Sequence, residues 1–415
     1  MNRRIFSKLL ALSAGSLSLW QRADAGEVGD GRTNTPLPPG DDGANPAPTL
    51  AEHTMAEPAN VADFQILAAK LLPQVTYEYI TTGSTDEVTL RDNIAAFQRI
   101  RLLPPLLSGV AQADTSTTVL KQPVATPILL APMGGLGLFH PQGALAAARA
   151  AASAQTIFGV SSSAGSSVEE IAAASQAPKW YQLYVPKDRS VGRKLVERVE
   201  RAGYKAIIVT VDQGERKDAD LRNRFAIPQN DLLKLLRDVG FAVSDRTSYQ
   251  ELLAFNERAW DLTLSWDVFD WLRSITKLPL LIKGVLRADD AKKAVSIGLD
   301  GVIVSNHGGR RLDGVPASID QLPQVVEAVG GRAEVLLDSG VRRGTDVLKA
   351  LALGAKAVLI GRACAWAVAA DGENGVKKVL ELLRQELISA MLATGCSTVG
   401  SIDRSFLSRR SEQNI

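Results

Sequence analysis

Short apolar runs of strand length recur along most of the chain, each ending in polar or glycine residues. They are Pro127 to Ala131, Thr156 to Val160, Trp180 to Val185, Ala206 to Val211, Leu280 to Ile282, Gly301 to Val304, Val335 to Leu337 and Val358 to Ile360. Their apolar content is continuous rather than alternating, the pattern of strands covered on both faces. Between them, Gly143 to Ala154, Gly192 to Ala202, Ala288 to Ile297 and Gly344 to Leu353 mix small or apolar positions with charge at helical spacing. Eight such units in a chain of 415 residues predict an α/β fold, a (β/α)8 TIM barrel. An extra N-terminal helical segment precedes it from Val61 to Gly83, with Phe64, Ile66, Leu67, Leu71 and Leu72 in helical register. A longer connection, about Pro228 to Ile275, separates the fourth and fifth strands, and loops of that length usually carry function or gate a site. The rival architecture, an open doubly wound sheet, would place G-x-G-x-x-G after the first strand, and Pro132-Met133-Gly134-Gly135-Leu136-Gly137 does not fit that pattern.

The remaining segments divide the chain into three. Residues 1–25 run from Arg3-Arg4-Ile5-Phe6-Ser7-Lys8 through a modest apolar stretch to Ala23-Asp24-Ala25, the order of a secretory signal, and the paired arginines suggest twin-arginine export to the periplasm. Residues 26–58 are rich in Gly, Pro, Asn and Asp and read as a flexible linker, and the barrel domain follows from residue 59 to residue 415.

Composition narrows the function classes. A formal net charge of +2 with 5% aromatic residues leaves no basic excess of the kind that marks nucleic-acid binding. The two cysteines, Cys364 and Cys396, are too few for a disulfide framework and lack zinc-type spacing, so they read as buried thiols and no metal site is expected. With only three histidines, His53, His140 and His307, any imidazole chemistry has few candidates.

Barrel enzymes assemble their sites just past the C-terminal ends of the strands. Those positions here hold Pro132 with Gly134, Ser161, Gln182 with Tyr184, Thr210 with Asp212, Lys283, Ser305 with His307 and Arg310, Asp338 with Gly340, and Gly361 with Arg362. The last two loops, Asp338-Ser339-Gly340-Val341-Arg342 and Gly361-Arg362, carry a phosphate-site pattern: glycines admit an anion to backbone N–H groups and arginines grip it. A lysine buried at a strand end is costly without a counter-charge, so an anion is expected beside Lys283.

These residues resemble the FMN-dependent L-2-hydroxy acid oxidases and dehydrogenases, a family that includes glycolate oxidase, lactate oxidase and lactate monooxygenase. The resemblance runs from about Asn60 to Arg409 and is carried by Leu72-Pro73, Tyr79, Ala131-Pro132, Ser166 to Glu170, Gln182-Leu183-Tyr184, Thr210-Val211-Asp212, Lys283-Gly284 and, most specifically, Ser305-Asn306-His307-Gly308-Gly309-Arg310. It implies FMN as cofactor and oxidation of an L-2-hydroxy acid, with L-lactate favoured, to the 2-keto acid. His307 matches the active-site base, Asp212 the carboxylate that stabilises its imidazolium, and Arg310 and Tyr79 the groups that hold the substrate carboxylate. Tyr184 matches the tyrosine beside the substrate hydroxyl, and Lys283 the lysine beside the pyrimidine edge of the flavin. Pro132, Met133, Gly134, Ser161, Gln182, Thr210 and Ser305 fall at flavin-contact positions.

The chain departs from the family pattern at three places. Lys217, with Arg216 beside it, stands where a second carboxylate-binding arginine is expected; Ser163 replaces the bulky tryptophan of glycolate oxidase; Gly134 stands where most oxidases have alanine, as it does in lactate monooxygenase. The acceptor stays open among oxygen with peroxide release, oxygen in a coupled monooxygenation, and a quinone or cytochrome. The resemblance also implies a homo-oligomer, commonly a tetramer. The competing reading is a phosphate-binding barrel with no redox role.

Overall fold

The computed structural model describes residues 57–213 and 224–409. The segment expected to be an export leader, all of the expected linker but Glu57 and Pro58, His53, and the loop residues Arg216 and Lys217 lie outside the described residues.

The domain opens with α1 (Val61–Leu71), α2 (Gln74–Thr81) and α3 (Val88–Arg99). The sequence predicts one helix across Val61 to Gly83, and the structure breaks it at Leu72-Pro73. Proline donates no backbone hydrogen bond and forces its predecessor out of helical geometry, and Leu72 accordingly sits extended at φ −92°, ψ 147°. Four short strands follow or flank the barrel: β1 (Ile100–Leu102), which pairs with the C-terminal β12 (Leu407–Arg409), and the hairpin of β2 (Thr117–Val119) and β3 (Gln122–Val124).

The eight predicted strands are all present, with their ends moved by a few residues. They are β4 (Ile128–Leu130), β5 (Phe158–Ser161), β6 (Lys179–Leu183), β7 (Ala206–Thr210), β8 (Leu280–Val285), β9 (Gly301–Val304), β10 (Glu334–Leu337) and β11 (Ala357–Ile360). All pair in parallel and close on themselves, β11 against β4. The continuous apolar pattern is explained by two buried faces. Leu129, Ile208, Leu281, Ile303, Leu336 and Leu359 fill the barrel with Trp180, while their neighbours Ile128, Leu130, Ile207, Val209, Val302 and Val304 point outward to the helices. Val119 and Val124 of the hairpin join the inner cluster, and the Leu120 N–H donates to Glu334 at the start of β10 (2.9 Å). The hairpin therefore stoppers the N-terminal end of the barrel and leaves the opposite end for chemistry.

Single helices follow seven of these strands: α4 (Gly143–Ser153), α5 (Val168–Ala174) and α6 (Arg189–Arg201) after β4 to β6, and α10 (Ala288–Ser296), α11 (Ser318–Val329), α12 (Gly344–Ala352) and α13 (Arg362–Ala393) after β8 to β11. The long connection after β7, expected as a loop, contains α7 (Gln229–Val239), α8 (Tyr249–Ala259) and α9 (Asp267–Ile275). Its punctuation was in the sequence: Gly240 ends α7 at φ 113°, and Ser248 with Glu251 forms a capping box at α8. Both cysteines are buried and free, and burial pushes the Cys364 thiol up to about 12. His140 packs against Gly372 at the kink of α13, away from the barrel mouth. Among the described residues no helix is long and apolar enough to cross a membrane.

Gly344, the first residue of α12, shows how closely α12 and α13 pack: a Cβ there would lie 2.2 Å from the Leu387 backbone nitrogen. Gly344→Ala is expected to destabilise the domain by about 1–3 kcal/mol or more, as overpacking does. Gly137→Ala, whose added methyl meets nothing within 4 Å, is the control expected to leave the unfolding temperature in place. Equal unfolding temperatures for both variants would contradict the packing assignment.

Candidate active site

The C-terminal ends of the strands surround a cavity of about 380 Å³. At one end stand the two glycine–arginine loops. Ser339 and Gly340 adopt left-handed backbone at φ 76° and 94°, and a Cβ on Gly340 would lie 2.1 Å from the Asn93 carbonyl oxygen, so only glycine fits. Asp346 accepts the N–H groups of Arg342 and Arg343 (2.9 and 3.0 Å), which removes those two amides from ligand binding. The grip on an anion is left to the Arg342 and Arg362 side chains and to the start of α13, where helix N–H groups are unsatisfied. Arg362 is buried and Arg342 half-buried. Burial pulls Arg342 down to about 10, with Asp346 offsetting only part of the cost. Arg362 falls well below the ordinary range, first through burial and then through Arg310 and Arg342. Arg342 lies over the Trp366 ring at 5.0 Å, and Arg362 donates to the Ile80, Gly308 and Thr82 carbonyls. Two neighbouring guanidinium groups, with Arg342 adding to the cost of charging Arg362, form a site that an anion completes.

Lys283 forms the middle of the wall. The counter-charge the sequence calls for is Asp338, 3.1 Å away, and Ser305 Oγ accepts a further bond at 2.9 Å. Burial alone would lower the Lys283 pKa, and the charges of Asp338 and Asp212 outweigh it, so the ammonium form is favoured. Asp338 thus serves the lysine rather than the anion end. Ser161, Pro132, Met133, Gly134, Val341 and Gly361 line the cavity as expected. Gln182, Thr210 and Ser305 stand behind its wall, Gln182 accepting from Ser161 Oγ at 3.1 Å. Gln182 Nε2 and Thr210 Oγ1 are buried with no hydrogen-bond partner among the described residues, a state that calls for a ligand with polar edges.

The His307–Asp212 pair lies at the mouth. His307, Gly308 and Gly309 are three successive left-handed residues at φ 58°, 67° and 71°. A Cβ on Gly308 would lie 2.7 Å from Arg362, and one on Gly309 2.7 Å from the Leu90 nitrogen, so this loop needs both glycines. His307 itself bears the left-handed strain, held by its N–H to Ser305 Oγ (3.1 Å) and by Nδ1 against Asp212 Oδ1 (2.9 Å). Burial, Lys283 and Arg311 pull the imidazole down to about 4 against the pull of Asp212. Burial would raise Asp212, but His307 and Lys283 hold it far below the ordinary carboxylate range. At neutral pH the pair is therefore a carboxylate beside a neutral imidazole.

Tyr79, Tyr184 and Arg310 line the same cavity. Arg310 lies over the Tyr79 ring at 5.2 Å and donates to the Tyr79 carbonyl at 2.6 Å, so it also ties the end of α2 to the β9 loop. The sequence reading missed Arg311. Its Nη2 donates to the Tyr184 hydroxyl (3.2 Å), and it reaches the electrostatic environment of both His307 and Asp212. The signal was its place beside Arg310 in the same loop. Gly134 and Ser163 are brought together: a Cβ at position 134 would lie 3.2 Å from the Ser163 Cβ.

An anion end, a cationic lysine wall with orphaned polar groups, and a neutral imidazole backed by a carboxylate define a barrel oxidoreductase with a bound cofactor. The family model of FMN-dependent dehydrogenases matches residues 68–409, and the chain belongs to that family. It is 48% identical to human 2-hydroxyacid oxidase 1 over 84% of this chain and 95% of that one, and 45% identical to an L-lactate oxidase of Nostoc sp. over 85% and 99%. Among solved structures it resembles a soluble mutant of the membrane-associated (S)-mandelate dehydrogenase from Pseudomonas putida, at 38% identity and a TM-score of 0.78 over 85% of this chain and 99% of that one. The protein is an FMN-dependent 2-hydroxy acid oxidoreductase. The site fits the cofactor: Arg342 and Arg362 suit its phosphate, and the orphaned Gln182 and Thr210 groups suit the polar edge of its ring.

Lys283→Met is expected to lower the flavin midpoint potential, because the reduced ring is anionic and loses its cation. It also leaves the buried Asp338 without its counter-charge, at a cost on the order of 3–5 kcal/mol. Lys283→Met with Asp338→Asn is expected to recover stability but not potential, and a potential unchanged in both variants would remove Lys283 from the flavin's surroundings.

Proposed function

We propose that this chain oxidises an L-2-hydroxy acid, with L-lactate as substrate, to the 2-keto acid, and that His307 is the base. The contact that carries the reading is His307 Nδ1 to Asp212 Oδ1 at 2.9 Å on the cavity wall. A carboxylate at that distance selects the tautomer with the proton on Nδ1, which leaves Nε2 as the basic nitrogen. Tyr79 and Arg310 orient the substrate carboxylate, and Tyr184 stands beside the hydroxyl. His307 takes the hydroxyl proton as the carbonyl forms, and Asp212 stabilises the resulting imidazolium. FMN supplies the acceptor for the α-hydrogen and its electron pair.

Protonation of His307 removes the base, so activity is lost as pH falls. Because burial, Lys283 and Arg311 hold its pKa down to about 4, kcat/KM for L-lactate is expected to stay level through neutral pH and fall only in acid. A bound substrate carboxylate offsets Lys283 and Arg311, so the acid limb of kcat is expected at higher pH than that of kcat/KM. His307→Gln is expected to keep FMN and to slow flavin bleaching by L-lactate by about 10²–10⁴-fold. Loss of FMN from that variant, or bleaching at the unaltered rate, would refute the assignment.

Gly134 favours a second reading of the fate of the keto acid, a coupled monooxygenation. Its φ is not left-handed, in contrast to Gly135 at 71°, so the backbone does not demand glycine at 134. The missing methyl instead enlarges the space against Ser163, and a roomier site retains the keto acid longer. With L-lactate and oxygen, acetate with carbon dioxide supports the coupled reaction, whereas pyruvate with stoichiometric peroxide supports a simple oxidase. Reduction of an artificial acceptor with neither product would assign a quinone- or cytochrome-linked dehydrogenase.

A further inference from the structure

A second chamber of about 220 Å³ adjoins the active-site cavity. Tyr79, Gly134, Ser163, Tyr184 and Arg311 line both, so they form the mouth between them. The small residues at 134 and 163 make that mouth passable. Deeper in, Ile227, Leu232, Leu235 and Trp260 make the chamber walls apolar.

Arg311 is the unusual member of this rim. Among the described residues its hydrogen-bond acceptor in the mouth is the Tyr184 hydroxyl, and its Nε is buried with no partner. Among the described residues of the chamber wall, the cation Lys234 is engaged by Asp238 (2.9 Å) and Glu170 (3.3 Å), and Asp231 adds negative charge on that side. Positive charge with an unsatisfied donor is thus concentrated at the mouth, next to His307 and Tyr184. A guanidinium presents a planar pair of donors that matches a carboxylate.

We propose that Arg311 is a specificity-determining residue that receives a second carboxylate on the substrate tail, so that 2-hydroxydicarboxylates are oxidised in preference to neutral 2-hydroxy acids of equal length. This rests on the 2-hydroxy acid reading above and adds the substrate class. With the first carboxylate at Tyr79 and Arg310 and the hydroxyl at His307 and Tyr184, the side chain leaves the α-carbon toward the mouth. A short tail ends there at Arg311, whereas a longer one would carry its charge into apolar walls, where an unpaired carboxylate is costly.

The test uses the FMN-loaded enzyme and compares kcat/KM for L-2-hydroxyglutarate and L-2-hydroxypentanoate, which share a carbon chain and differ in the terminal carboxylate. The unaltered enzyme is expected to favour the dicarboxylate, and Arg311→Gln to lower the ratio by between about tenfold and a hundredfold, mainly through KM. Arg311→Lys, which keeps the charge and loses the fork, is expected to fall between. An unaltered enzyme without preference, or an equal loss on both acids in Arg311→Gln, overturns the proposal while leaving the oxidation reading intact. Failure of L-lactate and both longer acids to bleach the flavin overturns the oxidation reading, and this inference with it.

Discussion

Positive charge gathered at one end of the barrel is the constraint around which the site is organised. Lys283, Arg310, Arg311, Arg342 and Arg362 border a single cavity, and removing such groups from water is expensive unless an opposing charge is near. The protein supplies part of the compensation itself. Asp338 and Asp212 serve Lys283, and the carbonyls of Ile80, Thr82 and Gly308 serve Arg362. The remainder is left for anionic ligands, which ties folding stability to occupancy: a phosphate-bearing cofactor that binds the folded state stabilises it by mass action.

The same loop that carries the base also binds the N-terminal helices to the barrel. Ser84 N–H donates to the Gly309 carbonyl, and Asn93 and Asn306 exchange side-chain hydrogen bonds at 2.9 and 2.7 Å. Asp313 accepts the N–H groups of Val88 and Thr89 and so caps α3 from across the chain, interactions that hold its carboxyl down to about 2. These contacts explain how Tyr79, more than 200 positions before Arg310, comes to stand against it. The left-handed run at His307 is sustained because so many partners fix its surroundings.

Much of this was legible in the chain. The eight strands announce themselves because each is buried on both faces, and the sites at their ends follow from the architecture alone. The break at Pro73 and the three helices after β7 were also written locally, in a proline, a left-handed glycine and a capping box, but the overall apolar spacing masked the first and loop length suggested something plainer for the second. What local pattern could not show is pairing across the fold. Asp338 reads as part of an anion loop until the barrel closure brings it against Lys283, two strands earlier. Arg311 reads as a duplicate of its neighbour, yet the two side chains face different ways, and one ties down α2 while the other meets Tyr184.

With His307 as the proposed base, the charge arrangement gives it a strength that depends on what is bound. Burial, Lys283 and Arg311 oppose protonation of His307, and Asp212 favours it. Each anionic group that enters cancels part of that opposition, so the imidazole becomes more basic when a substrate carboxylate is in place. A histidine already basic before substrate binds would carry a proton over more of the working pH range and could not accept another. Holding it low until the substrate arrives keeps the neutral form available, and the substrate's own charge then supplies the driving force for proton uptake. The cations that line the cavity are the groups through which ligand binding would strengthen the proposed base.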